Sequence, residues 1–468
     1  MGLIKLSKLL EIGAGGSHMG KHTAVKNYPY HKFKKLNIAV DISMLVYETA
    51  IAIRNGGHDL TNKSGQLTSH LIGIFNKTLN FLQNGNVPIF VFDGKAPEIK
   101  TATVQKRRDD KKKAADKLDE IDDSEDGEFI KHYKNSFRPS KQDFDELKIM
   151  FNLMGIPYIE APGEADIVCT WLASRCDENG KRYAKGVCSD DGDILIHGAR
   201  YLFRFMSKAL NKPNIDVKVI SQEKLLANLN LTVEQMYVVA ALLGGDYNDS
   251  IYGVGVKKAY SFVLKYKTLD GVFDFLQKEK KYKTYATDEV REKMRATINY
   301  YANTVKSLDK DDNFIITDDN YKMRKYQYDE LVDFFCIKHN FDIQRIKKSL
   351  NRMKEYYSQM NISRENIEIY HTITDISLIK TIDVDVDNTK DIEFMSDSSD
   401  KLNEINESEA SDASEASEAS ESVSDGPSTR IENKKKDPII SKKKPVLVKT
   451  QPKTLKDLVK NSRNKKLS

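Results

Sequence analysis

Hydrophobic and polar positions along the chain follow a repeating order in which short apolar runs end on acids and are separated by stretches with helical spacing. Leu36-Asn37-Ile38-Ala39-Val40 ends on Asp41, and Val87-Pro88-Ile89-Phe90-Val91-Phe92 ends on Asp93. Ile156-Pro157-Tyr158-Ile159 leads through Ala161-Pro162-Gly163 to Glu164 and Asp166, and Tyr183-Ala184-Lys185-Gly186-Val187-Cys188 opens into Asp190-Asp191-Gly192-Asp193. Such β-rich runs between helical stretches predict the parallel strands of an α/β sheet. Side chains just past the carboxyl ends of parallel strands gather in one crevice. Seven carboxylates there repel one another unless hard cations hold them. The pattern therefore predicts a divalent-metal centre.

The same pattern divides the chain. Residues 1–105 read as βα units, with a flexible Gly13-Ala14-Gly15-Gly16-Ser17 loop before the first strand. Residues 106–145 are almost wholly polar, basic first and acidic later, so they cannot fill a core and read as a solvated helical excursion. Residues 146–270 return to βαβ patterning and then turn helical at about 230–270, around Gly244-Gly245-Asp246 and Gly253-Val254-Gly255. Residues 271–384 carry a further helical part, amphipathic between Tyr328 and Tyr357 through Leu331, Phe334, Phe335, Ile346 and Leu350. From 385 to 468 the composition becomes Ser/Glu/Ala-rich and then Lys-rich, the signature of a disordered tail.

Composition adds little beyond this. A formal charge of +5 says less about partners than the distribution of charge does. Cys169, Cys176, Cys188 and Cys336 lack any paired CxxC spacing, which argues for free thiols rather than disulfides or zinc. No apolar run reaches membrane-spanning length, and no secretory segment opens the chain, so a soluble intracellular protein is expected.

Motif order carries more. Val40-Asp41-Ile42-Ser43-Met44, Val91-Phe92-Asp93-Gly94-Lys95-Ala96-Pro97, Gly155-Ile156-Pro157-Tyr158, Ala161-Pro162-Gly163-Glu164-Ala165-Asp166, Asp190-Asp191-Gly192-Asp193, Leu242-Leu243-Gly244-Gly245-Asp246-Tyr247 and Gly253-Val254-Gly255-Val256-Lys257-Lys258-Ala259 follow one another across residues 1–355. In this order they resemble the flap structure-specific endonucleases of the Rad2-type 5′ nuclease family. The resemblance implies a mostly parallel central sheet flanked by helices, a helical arch and a helix–two-turn–helix element that grips duplex DNA. It implies hydrolysis of branched DNA at 5′-flap junctions in replication and repair. The alternatives are an exonuclease or junction endonuclease of the same family, or a DNA-binding scaffold without catalysis.

Carried over residue by residue, the resemblance makes Asp41, Asp93, Glu164, Asp166, Asp191, Asp193 and Asp246 ligands of two Mg²⁺ ions, with Mn²⁺ as a substitute. For any one of these acids the competing reading is a helix N-cap at a strand–helix junction, which four such junctions plus Asp246 disfavour jointly. Asp190 falls one place before the family's ligand and suits a capping or supporting role. Lys100 and Arg107, seven apart and on one helical face with Val104 and Lys111, match residues that contact the scissile phosphate. Arg108 and Lys111-Lys112-Lys113 suit general phosphate attraction. Tyr47 matches a tyrosine that stacks on an unpaired base, with ordinary packing between Val46 and Ala50 as the equal alternative. Gly253 and Gly255 present backbone N–H groups at a helix N-terminus, with Lys257 and Lys258 adding charge. In the family this element also holds a K⁺ ion.

Three departures stand out. Met1-Gly2-Leu3-Ile4-Lys5-Leu6 replaces the family's Met-Gly-Ile-x-Gly-Leu opening, and Asn62-Lys63-Ser64-Gly65-Gln66 replaces a typically acidic run. A sliding-clamp box is present only in degenerate form, with Gln451 out of register with Leu455, Leu458 and Val459 and no aromatic pair. Lys434-Lys435-Lys436 and Lys442-Lys443-Lys444 suit nuclear import or attraction of DNA. A monomer that binds DNA, away from membranes, is expected in the nucleus, with a viral replication compartment as the alternative.

Overall fold

The computed structural model describes residues 8–9, 24–54, 68–120, 131–133, 135–212 and 214–360. Residues 1–6, 13–17 and 62–66, and the tail from 385 with its clamp-like residues, lie outside the described residues.

Seven strands form one sheet in the order β1-β7-β6-β5-β2-β3-β4. The four anticipated runs supply β2 (Asn37–Asp41), β3 (Val87–Phe92), β4 (Tyr158–Glu160) and β5 (Gly186–Cys188), and β6 (Tyr201–Arg204) extends them. These five pair in parallel. β1 (Val25–Pro29) and β7 (Asp216–Ser221) close one side in antiparallel pairing, so the sheet is mostly parallel as the pattern predicts. β2 is central. The chain proceeds from it through β3 and β4 on one side and then returns to β5 on the other. That reversal places a topological switch point beside the carboxyl end of β2, where α/β sheets bind ligands.

All six residues of β3 are buried, as a strand covered on both faces requires. Phe90 and Phe92 turn towards α4 (Lys141–Met154), where the Phe90 ring stacks on Phe151 at 4.4 Å. Ile89 and Val91 turn the other way, into a core shared with α5 (Ala165–Ser174), α6 (Asp193–His197), α8 (Val233–Leu243) and α11 (Asp288–Ser307). Two helices, α1 (Ile42–Arg54) and α2 (Ser69–Leu82), share the α4 side of the sheet.

α3 (Thr101–Glu120) is the polar excursion, and it begins a few residues earlier than the 106 boundary read from composition. Positions 103, 104, 107, 111 and 114 on one side of it are buried or half-buried, while most of the rest are exposed. Beyond β7, α7 (Gln222–Leu229), α8, α9 (Val256–Tyr266), α10 (Leu269–Lys278) and α11 follow in succession. The block expected from Tyr328 to Tyr357 is interrupted. Helix α12 (Tyr328–Asp333) widens into a π-helical turn at Phe334–Lys338, and α13 (Ile343–Gln359) starts afresh from an Asp342 cap. Among the described residues no single helix is long and apolar enough to cross a membrane.

Candidate active site

The sheet delivers the acids as expected. Asp41 is the last residue of β2, Asp93 directly follows β3, Glu164 lies beyond β4, and Asp191 lies beyond β5. Helix N-termini then orient them. Asp41 Oδ1 accepts from the backbone N–H groups of Ser43 (2.8 Å) and Met44 (3.3 Å) in the first turn of α1. Asp93 Oδ1 accepts from Ala165 N, the first residue of α5, at 2.9 Å, and Asp191 Oδ1 accepts from Asp193 N at 3.0 Å. Capping and clustering are therefore not alternatives. One oxygen each of Asp41, Asp93 and Asp191 satisfies a helix terminus, and the same bond holds the carboxylate in place, whereas Glu164 caps nothing with its side chain.

Gly94 makes the junction at Asp93 possible. Its N–H donates to Gly163 O at 2.7 Å, and a Cβ there would lie 2.1 Å from Ala161 O. Only glycine lets the loop carrying Asp93 close onto the loop carrying Glu164. Gly244 does the same for Asp246. At φ +69° it turns the chain out of α8, and a Cβ would lie 2.4 Å from Ser250 N.

The electrostatics register the crowding. Burial, followed by the charge of Asp93, pushes the Asp41 carboxyl up to about 8 against the pull of its two backbone donors. Burial raises Asp166 well above the carboxylate range, with Asp41, Asp191 and Asp93 adding to the effect. Asp166 Oδ1 is buried and has no hydrogen-bond partner. An orphaned carboxylate oxygen among like charges is costly unless a cation neutralises it.

Two of the chain's own cations reach into the crevice. Lys100 Nζ contacts Glu164 Oε1 and lies 3.4 Å from Asp246 Oδ2. Burial works against the lysine's charge, but Glu164 and then Asp246 outweigh it, and its pKa is raised. Arg107 Nη2 donates to both oxygens of Asp246 at 2.7 Å, and Thr103 Oγ1 donates to the Asp246 carbonyl at 2.8 Å. Lys100 closes a short 3₁₀ turn just before α3 rather than lying on it, and Arg107 sits on α3; both reach Asp246. Among the described residues no group of three or more acids, histidines or cysteines stands as a ready-made cage for a metal ion. Glu164 and Asp246 face Lys100 and Arg107 instead. The donor set still fits divalent metals, because it consists of hard carboxylate oxygens and includes the orphaned oxygen of Asp166.

Asp190 stands apart from the cluster. It accepts from Phe205 N at 2.8 Å and contacts the Lys208 ammonium, tying the end of β5 to the segment after β6. Tyr47 is half-buried rather than core. Its hydroxyl meets Lys111 Nζ at 2.6 Å, that ammonium lies 4.1 Å from the ring centroid, and Phe137 approaches edge-on at 5.6 Å. Gly253 adopts φ +76°, which favours glycine, and Gly255 occupies the N-cap of α9 with open space around it. Lys257 is exposed and Lys258 half-buried in the first turn of α9.

Motif reading missed three aromatic residues behind the acids. The Tyr247 and Tyr300 hydroxyls donate to Glu164 Oε2 at 2.9 and 2.8 Å, and burial followed by the Glu164 charge raises both phenols. His197 packs against Tyr247, Tyr300 and Tyr301 with both ring nitrogens unpartnered, and burial lowers it to about 4. Tyr247 follows Asp246 inside a motif, but nothing local in the sequence marks Tyr300, far from Glu164 along the chain.

Comparison with known proteins agrees with this geometry. Residues 15–114 match the XPG N-terminal domain and residues 155–246 the XPG I-region. Flap endonuclease 1 of Phytophthora infestans is 34% identical over 342 residues, covering 72% of this chain and 85% of that protein. The Bos taurus flap endonuclease 1 is 30% identical over 357 residues, covering 76% and 87%. The fold is also that of a flap endonuclease-1 from Methanococcus jannaschii, with TM-score 0.51, 24% identity, and coverage of 74% of this chain and 99% of that one. With relatives this similar along most of their length, the chain belongs to the Rad2-type flap endonucleases, a family of metal-dependent, structure-specific 5′ nucleases.

Proposed function

We propose that the protein hydrolyses phosphodiesters of branched DNA where a displaced 5′ strand leaves the duplex, using two Mg²⁺ ions held by Asp41, Asp93, Glu164, Asp166, Asp191, Asp193 and Asp246. One observation carries the reading: buried, mutually repelling acids with an orphaned oxygen share a crevice with Lys100 and Arg107. Bound metals about 4 Å apart would supply an activated water and neutralise charge on the attacking and leaving oxygens. Mg²⁺ retains several waters, so some of the seven acids act through water.

The chain's own groups do the rest. With divalent ions on the acids, Lys100 and Arg107 would be free to turn to the non-bridging oxygens of the scissile phosphate and orient it. The basic start of α3, including Arg108 and Lys111-Lys112-Lys113, attracts the 5′ strand without reading its sequence. Tyr47 becomes a platform for an unpaired base once Lys111 swings off its ring. The Gly253–Gly255 turn and Lys257 grip a duplex phosphate at the N-terminus of α9. The eukaryotic relatives support a place in nuclear DNA replication and repair.

A duplex carrying a labelled 5′ flap, incubated with Mg²⁺, tests the proposal. Cleavage at the flap junction is expected, with none from Asp191→Asn protein. Stepwise mononucleotide release from blunt duplex in preference to the flap would favour the exonuclease reading. Absence of product from the wild type would leave only DNA binding.

A further inference from the structure

Both oxygens of Glu164 are engaged by side chains from distant parts of the chain, as are those of Asp246. Where Asp246 meets the cations Arg107 and Lys100, however, one oxygen of Glu164 meets two neutral phenols. Tyr247, just past α8, and Tyr300, in α11, both donate to Oε2. A carboxylate oxygen offers two lone pairs, so two phenols at hydrogen-bond distance saturate it. Lys100 occupies Oε1. The phenols are themselves held. Their rings lie 4.7 Å apart, Tyr301 packs on Tyr247 at 5.4 Å, and the buried His197 ring backs both. The Glu164 side chain is only 12% exposed, which leaves little room for its carboxylate to turn.

We propose that Tyr300, together with Tyr247, is a positioning residue that fixes Glu164 as a one-oxygen metal ligand. Oε2 is reserved for the tyrosines and Oε1 for a cation. Lys100 holds that oxygen until a divalent ion takes it. The inference rests on the metal-site reading above and adds to it the coordination mode of one ligand and the residues that set it. Partners behind a ligating carboxylate typically affect metal affinity by about 10–100-fold. Removing a phenol should therefore weaken metal binding even though neither tyrosine touches the ion.

The test is a thermodynamic cycle on the full-length, DNA-free protein, with bound Mn²⁺ measured by electron paramagnetic resonance of the free ion. Tyr300→Phe is expected to weaken Mn²⁺ binding about tenfold and to raise the Mg²⁺ concentration needed for half-maximal cleavage in parallel. Flap affinity in Ca²⁺ should stay unchanged. In a Glu164→Gln background, Tyr300→Phe is expected to change Mn²⁺ binding by less than twofold, because it acts through Glu164. Tyr247→Phe provides the same comparison from the second phenol. Mn²⁺ affinity within twofold of wild type in both single Phe variants would overturn the inference. An equal loss with and without Glu164 would overturn it too, since it would mark general loosening. Failure of the wild type to cut flaps with Mg²⁺ while the cycle behaves as described would instead overturn the catalytic reading and leave the positioning role standing.

Discussion

Asp41 and Asp93 combine two roles that sequence reasoning treats as rivals, because each caps a helix with one oxygen while its charge faces the other acids. A single Asp at a strand end is indistinguishable from an ordinary cap, and only the recurrence across β2, β3, β4 and β5 makes the cluster legible. Lys100 and Arg107 were legible through motif order, whereas Tyr300 and His197 were not, since long-range packing alone brings them to Glu164. Replacing Arg107 with Ala is expected to lower the single-turnover cleavage rate by about 10²–10³-fold, the scale of losing one charge-stabilising donor. Quench-flow rates set against flap affinity in Ca²⁺ would check this, with affinity shifting by less than about threefold. His197 yields a pH prediction. Its folded pKa, about 4, lies below the unfolded 6.5, so the unfolded state binds more protons as pH falls from 6.5 towards 4. The stability it contributes is complete above 6.5 and is lost in that window, by about 2 kcal/mol between pH 7 and 5. Urea unfolding of wild type and His197→Leu at the two pH values should show that loss in the wild type and a smaller one in the variant.

At the scale of elements, the positions of β2, β3 and β5 follow from burial on both faces and were therefore readable, while β4 at the sheet edge was marked by the apolar run before its acids. The boundaries were readable only where glycine or a charge interrupts the run. β1 and β7 escaped notice because Val25–Pro29 and Asp216–Ser221 mix polar residues into edge pairing, and their antiparallel register depends on a long return of the chain. The break after Asp333 was hidden for a related reason: Phe334 and Phe335 continue the amphipathic spacing while the backbone widens into a π turn. Gly94 exposes how tightly two elements are joined at the site. Gly94→Ala would drive a methyl into the Ala161 carbonyl and is expected to cost about 2–4 kcal/mol. Chemical denaturation would measure this, together with a cleavage rate that falls further than the fraction folded. The turn before α9 has the opposite character, since Lys257 is exposed. Lys257→Ala should leave stability within about 0.5 kcal/mol while lowering duplex affinity. It should also reduce the slope of log affinity against log salt by about 1, as read by fluorescence anisotropy at several salt concentrations.

For the whole molecule, the fold supports a crevice that is unfavourable without cations. Four strand ends at a topological switch point, closed by α3 and backed by α5, α8 and α11, bring like charges into a buried space. Lys100 and Arg107 offset only part of the repulsion. Metal binding should therefore be linked to folding: an ion bound only by the native state at 100 times its Kd adds about 2.7 kcal/mol. Differential scanning calorimetry is expected to show a Mg²⁺-dependent rise in Tm for the wild type. Asp166→Asn protein should melt higher than wild type without metal and gain little from Mg²⁺. The most direct test of the central claim is the single-turnover rate of flap cleavage as Mg²⁺ is raised from a chelated baseline. The two-metal reading predicts no cleavage at the baseline, a rise steeper than first order in Mg²⁺, and a loss of several orders of magnitude in Asp166→Asn protein. Cleavage that persists under chelation, or that Asp166→Asn leaves intact, would contradict it.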